Sequence, residues 1–311
     1  MRTDDFFGRT MAIPFFDAAA TVRLLSFADL VGALRTASTD LLAGRIVSPE
    51  RTVLPLQEGA VMLSMPATAA DIAIHKMVTV CPANVARGLA TIQGQVAAYD
   101  PHNGLPLFML DGPTVTARRT AAMTILGIQA LHGMAPSEVL VIGTGTQASS
   151  HVAALGALFP AARVYVIGRS LAQAEAFCLR NQTLNARLEA LMPDAIPASV
   201  EVVITLTTSS TPVYHEPDMP GRLVIAVGSF TPDAAEVPAA LVQGSVLYID
   251  DAHGGRYEAG DFIQAGTDWA RVRPIADAFS HAVPVERPIL FKTVGSAAWD
   301  LAACRVARLG L

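Results

Sequence analysis

Two textures of apolar patterning divide the chain near residue 139: short alternating runs before it, and apolar runs alternating with helical stretches after it. The first half opens on a helix. Ser26-Phe-Ala-Asp29 has the form of a capping box, with Asp in place of the usual Glu. Phe27, Leu30, Val31, Leu34, Leu41 and Leu42 follow at helical spacing, and Gly44 is a natural stop. Strand-like pieces come next, at 52–56, 60–65, 72–80, 92–99 and 105–110. Glu58-Gly59, Pro82-Ala-Asn84 and Asp100-Pro-His-Asn-Gly104 separate them, which predicts an antiparallel meander after one helix. A helix over 115–131 leads into the second half.

From there, 139–142, 164–167, 200–206, 223–227 and 246–249 read as buried strands. Helices are expected at 151–158, 171–191 and 238–242, with short ones at 258–264 and 274–279. This alternation predicts an α/β architecture with a doubly wound parallel sheet. A last helix, 297–309, carries Arg305 and Arg308 on one side and apolar residues on the other, and is expected to pack back on the first half.

Composition narrows the function classes. The 311 residues are 52% hydrophobic and only 16% charged, enough apolar surface for two cores. A net charge of −5 leaves no basic footprint for nucleic acid. Cys81, Cys178 and Cys304 are odd in number and far apart, fitting neither a disulfide framework nor a metal spacing. No apolar run approaches the roughly 18–20 residues of a membrane span, and the opening stretch 1–7 lacks the apolar core of a signal peptide. The cytoplasm is the expected compartment, without membrane or nucleic-acid partners and without a metal.

The chemistry gathers around Gly143-Thr-Gly-Thr-Gln-Ala148, between a predicted strand and a predicted helix. In that setting Gly143 allows the tight turn, Gly145 lets backbone approach a pyrophosphate, and Ala148 keeps the helix close. An NAD site usually ends its second strand on Asp or Glu. Here Gly168-Arg169-Ser170 stands there instead, suited to a 2′-phosphate, so NADPH is read over NADH. Arg169 and Ser170 can equally be an ordinary turn residue and an N-cap. Thr205-Leu-Thr-Thr-Ser-Ser-Thr-Pro212 closes a later strand near the expected nicotinamide side; on composition it can equally be a polar Ser/Thr turn.

Three cations in the first half sit in unusual places. Arg51 precedes a strand, Lys76 interrupts an apolar one, and Arg119 lies in an apolar helix. A buried charge is costly unless paired, and three converging cations suit a substrate carboxylate. Taken singly, each can be a surface charge. His75 falls on the opposite strand face and reads as structural, Arg118 as a solvated neighbour, and Asp250-Asp251 with His253 as a polar loop.

With these residues collected, the chain resembles the ornithine cyclodeaminase/μ-crystallin family over nearly its whole length. The resemblance rests on Ser48-Pro-Glu-Arg51, Lys76-Met-Val-Thr-Val-Cys-Pro-Ala-Asn84, Thr116-x-x-Arg119-Thr-Ala-Ala, the glycine turn with His151, Gly228-x-x-x-Pro232-Asp-x-x-Glu236, and Phe291-Lys-Thr-Val-Gly295 with Asp300. It implies a homodimer whose first-domain sheet joins its partner's. Residues 1–118 would form the substrate and dimerisation domain, 119–280 an NADP-binding Rossmann domain, and 281–311 a segment returning to the first domain. It also implies that Arg51, Lys76 and Arg119 hold the substrate carboxylate and form the catalytic set, with Met65 and Ser229 against the substrate. Thr91, Gly143, Gly145, Thr146, Gln147, Arg169, Ser170, Thr205, Thr207 and Val294 would contact the cofactor.

Two departures bear on the reaction. Ornithine cyclodeaminases carry an Asp where this chain has Ser229, and a Glu where it has Leu63. Without those acids the resemblance implies the ketimine reductase branch, reducing Δ1-pyrroline-2-carboxylate to proline and Δ1-piperideine-2-carboxylate to pipecolate with NADPH, or less well with NADH. The alternatives within the resemblance are an amino-acid dehydrogenase and a non-catalytic NADPH-binding protein. Lys76 or a bound water would supply any proton.

Overall fold

The computed structural model describes residues 12–216 and 219–311. The stretch 1–7, expected to lack a signal-peptide core, lies outside the described residues. The first unit comprises β1 (Phe15–Phe16), α1 (Ala18–Leu24), α2 (Phe27–Leu42), β2 (Thr52–Pro55), β3 (Val61–Thr68), β4 (Ala73–Val80), β5 (Ile92–Tyr99) and β6 (Pro106–Asp111). Its sheet runs β1-β6-β5-β4-β3-β2. Strands β2 to β6 are the expected antiparallel meander, and β1 adds in parallel at the edge. The capping box is formed: Ser26 Oγ accepts the Asp29 N–H at 3.1 Å and donates to its carboxylate at 2.5 Å. Along β4 the period of two sends Ile74, Lys76 and Val78 into the interior. His75 points the other way and meets Ser64 Oγ at 2.8 Å.

Helix α3 (Gly112–Gly127) starts three residues earlier than the periodicity predicts, because Asp111 caps it through the Thr114 N–H at 2.8 Å. It continues through a π turn, Ile128–His132, to a left-handed Gly133. Arg118 on this helix is not a solvated neighbour. Its Nε donates to the Leu25 carbonyl at 2.7 Å and its guanidinium carbon lies over the Phe27 ring, 3.9 Å from the centroid, tying α3 to the start of α2.

The second unit comprises β7 (Glu138–Ile142), α4 (Thr146–Leu158), β8 (Arg163–Ile167), α5 (Leu171–Asn181), β9 (Leu188–Ala190), β10 (Val202–Thr205), β11 (Leu223–Ala226), α6 (Ala239–Gly244), β12 (Val246–Ile249), α7 (Gly255–Glu258), α8 (Gly260–Gln264), β13 (Val272–Pro274), β14 (Ile289–Lys292) and α9 (Ala297–Leu309). Its eight strands are all parallel, in the order β13-β12-β14-β11-β10-β7-β8-β9. Strands β8 and β10 flank β7 on opposite sides, so a crevice opens beyond the carboxyl ends of β7 and β10.

Two expectations need correction. The helix expected over 171–191 ends at Asn181. Asn181 Nδ2 bonds the Phe177 carbonyl and Asn185 Oδ1 takes the Arg187 N–H, side-chain bonds that compete with the helix, and β9 then pairs with β8. The segment 281–311 does not return to the first unit as a whole. Its strand β14 lies inside the second sheet, between β11 and β12, because all four of its residues are buried there. Only α9 goes back, packing on α2, α3, β3 and β4.

Candidate active site

A cleft of about 240 Å³ lies where the two sheets face each other. Arg51, Met65, Lys76 and Arg119 line one side of it, Gln147, Thr207 and Val294 the other. Leu63, Val78 and Ile92 supply an apolar wall. The three cations singled out in the sequence therefore converge, although they come from a loop, a strand and a helix.

Lys76 and Arg119 share one carboxylate. Lys76 Nζ donates to both oxygens of Asp300 at 3.2 Å. Arg119 Nε stands 3.4 Å from Asp300 Oδ1, but without the alignment of a hydrogen bond. Asp300 is wholly buried on α9, so the returning helix carries the counter-charge into the first unit. Burial pushes the Lys76 ammonium down to about 8; Asp300 opposes that fall, and Arg119 and Arg51 add to it. Gly295, at φ +81°, lies flat against the Arg119 guanidinium: a Cβ there would stand 3.1 Å from both terminal nitrogens. Among the described residues those two nitrogens make no hydrogen bond, and they lie at the cleft.

Arg51 is held differently. One nitrogen, Nη2, donates to Glu258 Oε2 at 2.7 Å and to the carbonyls of Val294 and Gly295 at 3.1 and 2.8 Å. The loop that carries those carbonyls is fixed from behind. Asp250, buried at the end of β12, accepts the Val294 and Gly295 N–H groups at 2.9 and 3.0 Å and the Trp299 indole N–H at 3.1 Å. Burial raises its carboxyl above the usual range, and those backbone donors oppose the rise. Asp250 is thus more than a polar loop residue, and Glu258 was not singled out at all.

Behind the other wall, at the turn before α4, Gly143 has φ +131°, and a Cβ there would lie 2.6 Å from the Leu206 carbonyl oxygen. Gly145 caps α4, and a Cβ on it would meet open space, which leaves its backbone approachable. Thr146 opens the helix at the surface, and Gln147 Oε1 is buried without a partner beside the cleft. Arg169 is exposed after β8, and Ser170 Oγ caps α5 by accepting the Gln173 N–H at 3.3 Å. Thr91 stands just before β5, its carbonyl bonded to the Cys81 N–H at 2.8 Å, next to the cleft-lining Ile92.

Two expected contacts face away from the cleft. Thr205 is fully buried and donates to Glu236 at 2.9 Å. Ser229 turns inward: its hydroxyl donates to Asp261 at 2.7 Å and lies 2.8 Å from Lys292 Nζ. The reason is a buried cluster of opposite charges. Lys292 pairs with Asp261 at 2.7 Å, and Glu236 gathers the N–H groups of Thr207, Gly228 and Ser229 and the hydroxyls of Thr205 and Thr207. Burial alone would raise the Asp261 carboxyl; Lys292, the Ser229 hydroxyl and the Glu236 N–H together outweigh it and hold the group below its ordinary range. A lysine inside the apolar run 289–294 was the signal for this pair, the same signal that marked Lys76.

Fold and cleft together define a Rossmann-type α/β protein with a cation-lined cleft at the junction of its two sheets. The model of the ornithine cyclodeaminase/mu-crystallin family matches residues 14–308, and the chain belongs to that family. It is 57% identical over 296 residues, 95% of each chain, to the Δ1-pyrroline-2-carboxylate/Δ1-piperideine-2-carboxylate reductase of Azospirillum brasilense. It is 30% identical over 269 residues, 85% of each chain, to the ketimine reductase mu-crystallin of Mus musculus. The solved structure of Thermococcus litoralis Δ1-pyrroline-2-carboxylate reductase, with NADH and L-proline, shares the fold with a TM-score of 0.85, over 95% of this chain and 96% of that one at 22% identity.

Proposed function

We propose that the chain is an oxidoreductase that reduces the C=N bond of cyclic ketimines, Δ1-pyrroline-2-carboxylate and Δ1-piperideine-2-carboxylate, to L-proline and L-pipecolate. The observation that carries this reading is the convergence of Arg51, Lys76 and Arg119 on one wall of a small apolar cleft whose opposite wall includes Gln147, from the glycine turn of a dinucleotide fold, with Thr207 and Val294. The 57% identity to a reductase of that name supports it.

The residues present fit a nicotinamide dinucleotide. Gly143 is seated where only a glycine fits, Gly145 is open, and Gln147 Oε1 is an orphaned acceptor facing the cleft. Gly143, Gly145, Thr146 and Gln147 would hold the pyrophosphate at the α4 N-terminus. Arg169 and Ser170 would hold a 2′-phosphate, which favours NADPH over NADH. Thr207 and Val294 would border the nicotinamide, with Thr91 approaching from the first unit and Thr205 supporting through Glu236. The cofactor supplies the hydride.

The chain's own part is placement. Arg119 offers two free nitrogens to a carboxylate, Lys76 adds a charge beside it, and Arg51 closes the mouth. Leu63 and Met65 form an apolar wall suited to a small ring, so the imine carbon is presented with its carboxylate anchored. Lys76, poised near neutrality, can hold or release a proton at Nζ.

Nicotinamide oxidation is the test, with each cyclic imine separately and with pyruvate plus ammonia as the contrast. Turnover with the imines alone supports the proposal. Turnover with oxo acid and ammonia alone replaces it by an amino-acid dehydrogenase. Cofactor binding with no turnover in either assay replaces it by a binding protein.

A homodimer and a cytoplasmic location belong to the same proposal. Strand β2 is an edge strand whose four residues are all exposed, Val53 and Leu54 at 53% and 49%, a surface suited to a second copy. The three cysteines are free, and among the described residues no helix is long and apolar enough to cross a membrane.

A further inference from the structure

Arg51 stands between the cleft and an adjoining pocket lined by Glu50, Asp251, His253 and Glu258, and two units meet there. The loop 48–51 comes from the first unit and Glu258, at the end of α7, from the second. Their 2.7 Å ion pair joins the two units at that boundary, and both side chains are mostly shielded, at 14% and 19% exposure. Arg51 Nη2 has two hydrogens but three acceptors, Glu258 and the carbonyls of Val294 and Gly295. The two carbonyls alone can satisfy it. Glu258 is therefore dispensable for geometry, and what it adds is a negative charge.

The charges of the cleft show what that charge does. Arg51, Lys76 and Arg119 bring three positive charges. Asp300 offsets one, shared by Lys76 and Arg119. Glu258 offsets another through Arg51. With Glu258 ionised the wall keeps a single net positive charge; with Glu258 neutral it keeps two. A ring carboxylate entering the cleft and the Glu258 carboxylate are thus rivals for Arg51.

Resting on the ketimine reading of this site, we propose that Glu258 is a positioning residue that competes with the substrate's carboxylate for Arg51, so that substrate capture is coupled to uptake of one proton by Glu258. The groups facing Glu258 agree with this. Arg51 faces it from the loop before β2, and Asp250 and Asp251 from the end of β12. His253, exposed, lies 3.3 Å from Glu50 in the same adjoining pocket. Two acids against one arginine make a second ionised carboxylate beside Arg51 costly. Burial first, then Asp250 and Asp251, push Glu258 up to about 7 despite Arg51, so the exchange falls in the working range of pH.

The experiment compares wild type with Glu258→Gln, which keeps an acceptor for Nη2 and removes the charge, and with Glu258→Ala, which removes both. KM for Δ1-piperideine-2-carboxylate is measured from pH 6 to 8.5, beside the dissociation constant of pyrrole-2-carboxylate, a flat ring carboxylate that cannot accept hydride. Titration of Lys76 and of the imine acts on every protein alike, so the readout is the wild-type to variant ratio. The expected ratio to Glu258→Gln is near one at pH 6 and approaches about tenfold at pH 8, with kcat unchanged. Calorimetry in two buffers should show about one proton taken up per ligand by wild type near pH 8 and none attributable to this site in Glu258→Gln. A ratio that stays flat, or a Glu258→Ala profile that differs from wild type while Glu258→Gln does not, overturns the role of Glu258 and leaves the ketimine reading standing. Absence of both ketimine turnover and ring-carboxylate binding in wild type overturns the reading and this inference together.

Discussion

Lys76 on β4 and Asp300 on α9 stand 224 residues apart in the chain and 3.2 Å apart in the fold, both sealed from solvent. Asp300 is what allows a lysine to occupy the inward face of an apolar strand. An unpaired buried ammonium would shed its proton and with it its hold on a carboxylate.

Asp300→Asn should therefore act twice. It keeps the shape and removes the charge, leaving Lys76 and Arg119 without a counter-ion. The expected loss of stability is about 3–5 kcal/mol, the usual cost of breaking a buried pair, read from the urea midpoint. The lysine should also titrate at lower pH, because Asp300 is the group that resists its fall.

Lys76 adds a pH dependence of its own, read in Glu258→Gln, where the Glu258 effect is absent. Its folded value, about 8, lies below the ordinary 10.5, so the charged form persists only below about pH 8. Capture of a carboxylate needs that form. kcat/KM should fall as pH rises through about 8, while NADPH affinity holds. For stability the sign is the reverse. Between about 8 and 10.5 the unfolded chain holds more protons than the folded one, so this group's contribution to stability grows with pH across that window. A kcat/KM profile flat to pH 9 would remove Lys76 from carboxylate binding.

Arg169→Ala tests the choice of cofactor. Loss of a charge-assisted contact to a 2′-phosphate should weaken NADPH by about ten- to a hundredfold and leave NADH nearly unchanged. Fluorescence titration with each cofactor reads this directly, and an equal loss for both would reassign the residue to general electrostatics.

Gly143→Ala should damage the dinucleotide half at its turn. A residue with a side chain would have to hold φ near +131° with its Cβ 2.6 Å from the Leu206 carbonyl. The strain alone is about 1–3 kcal/mol, and relief of the clash would move β10 away from β7. Loss of cofactor affinity with a lowered melting temperature is expected, while Gly145→Ala, with open space at its Cβ, should fold normally.

Much of this arrangement was legible because burial and charge conflict visibly in a sequence. Lys76 and Arg119 stood out as charges inside apolar periods, and the glycine turn stood out between a strand and a helix. The parts that escaped lack that contrast. Glu258 and Asp250 sit in polar stretches, where a carboxylate raises no expectation until the fold brings Arg51 and the 294–295 amides to it. Whether Ser229 faces ligand or core depends on loop torsions and on Lys292 behind it, a contact 63 residues away. Strand β14 was hidden by its brevity, four residues after a proline, and its identity as a central strand is decided only by the neighbours β11 and β12.

The span between Lys76 and Asp300 also constrains how the molecule is made. The ribosome completes β4 long before it reaches α9. The first sheet must then wait with its lysine unpaired and the part of β3 and β4 that α9 covers exposed while the strands of the parallel sheet are synthesised. The unit that comes first in the chain thus receives its last helix at the end of synthesis, and a nascent chain stopped short of Asp300 would leave Lys76 without its counter-charge.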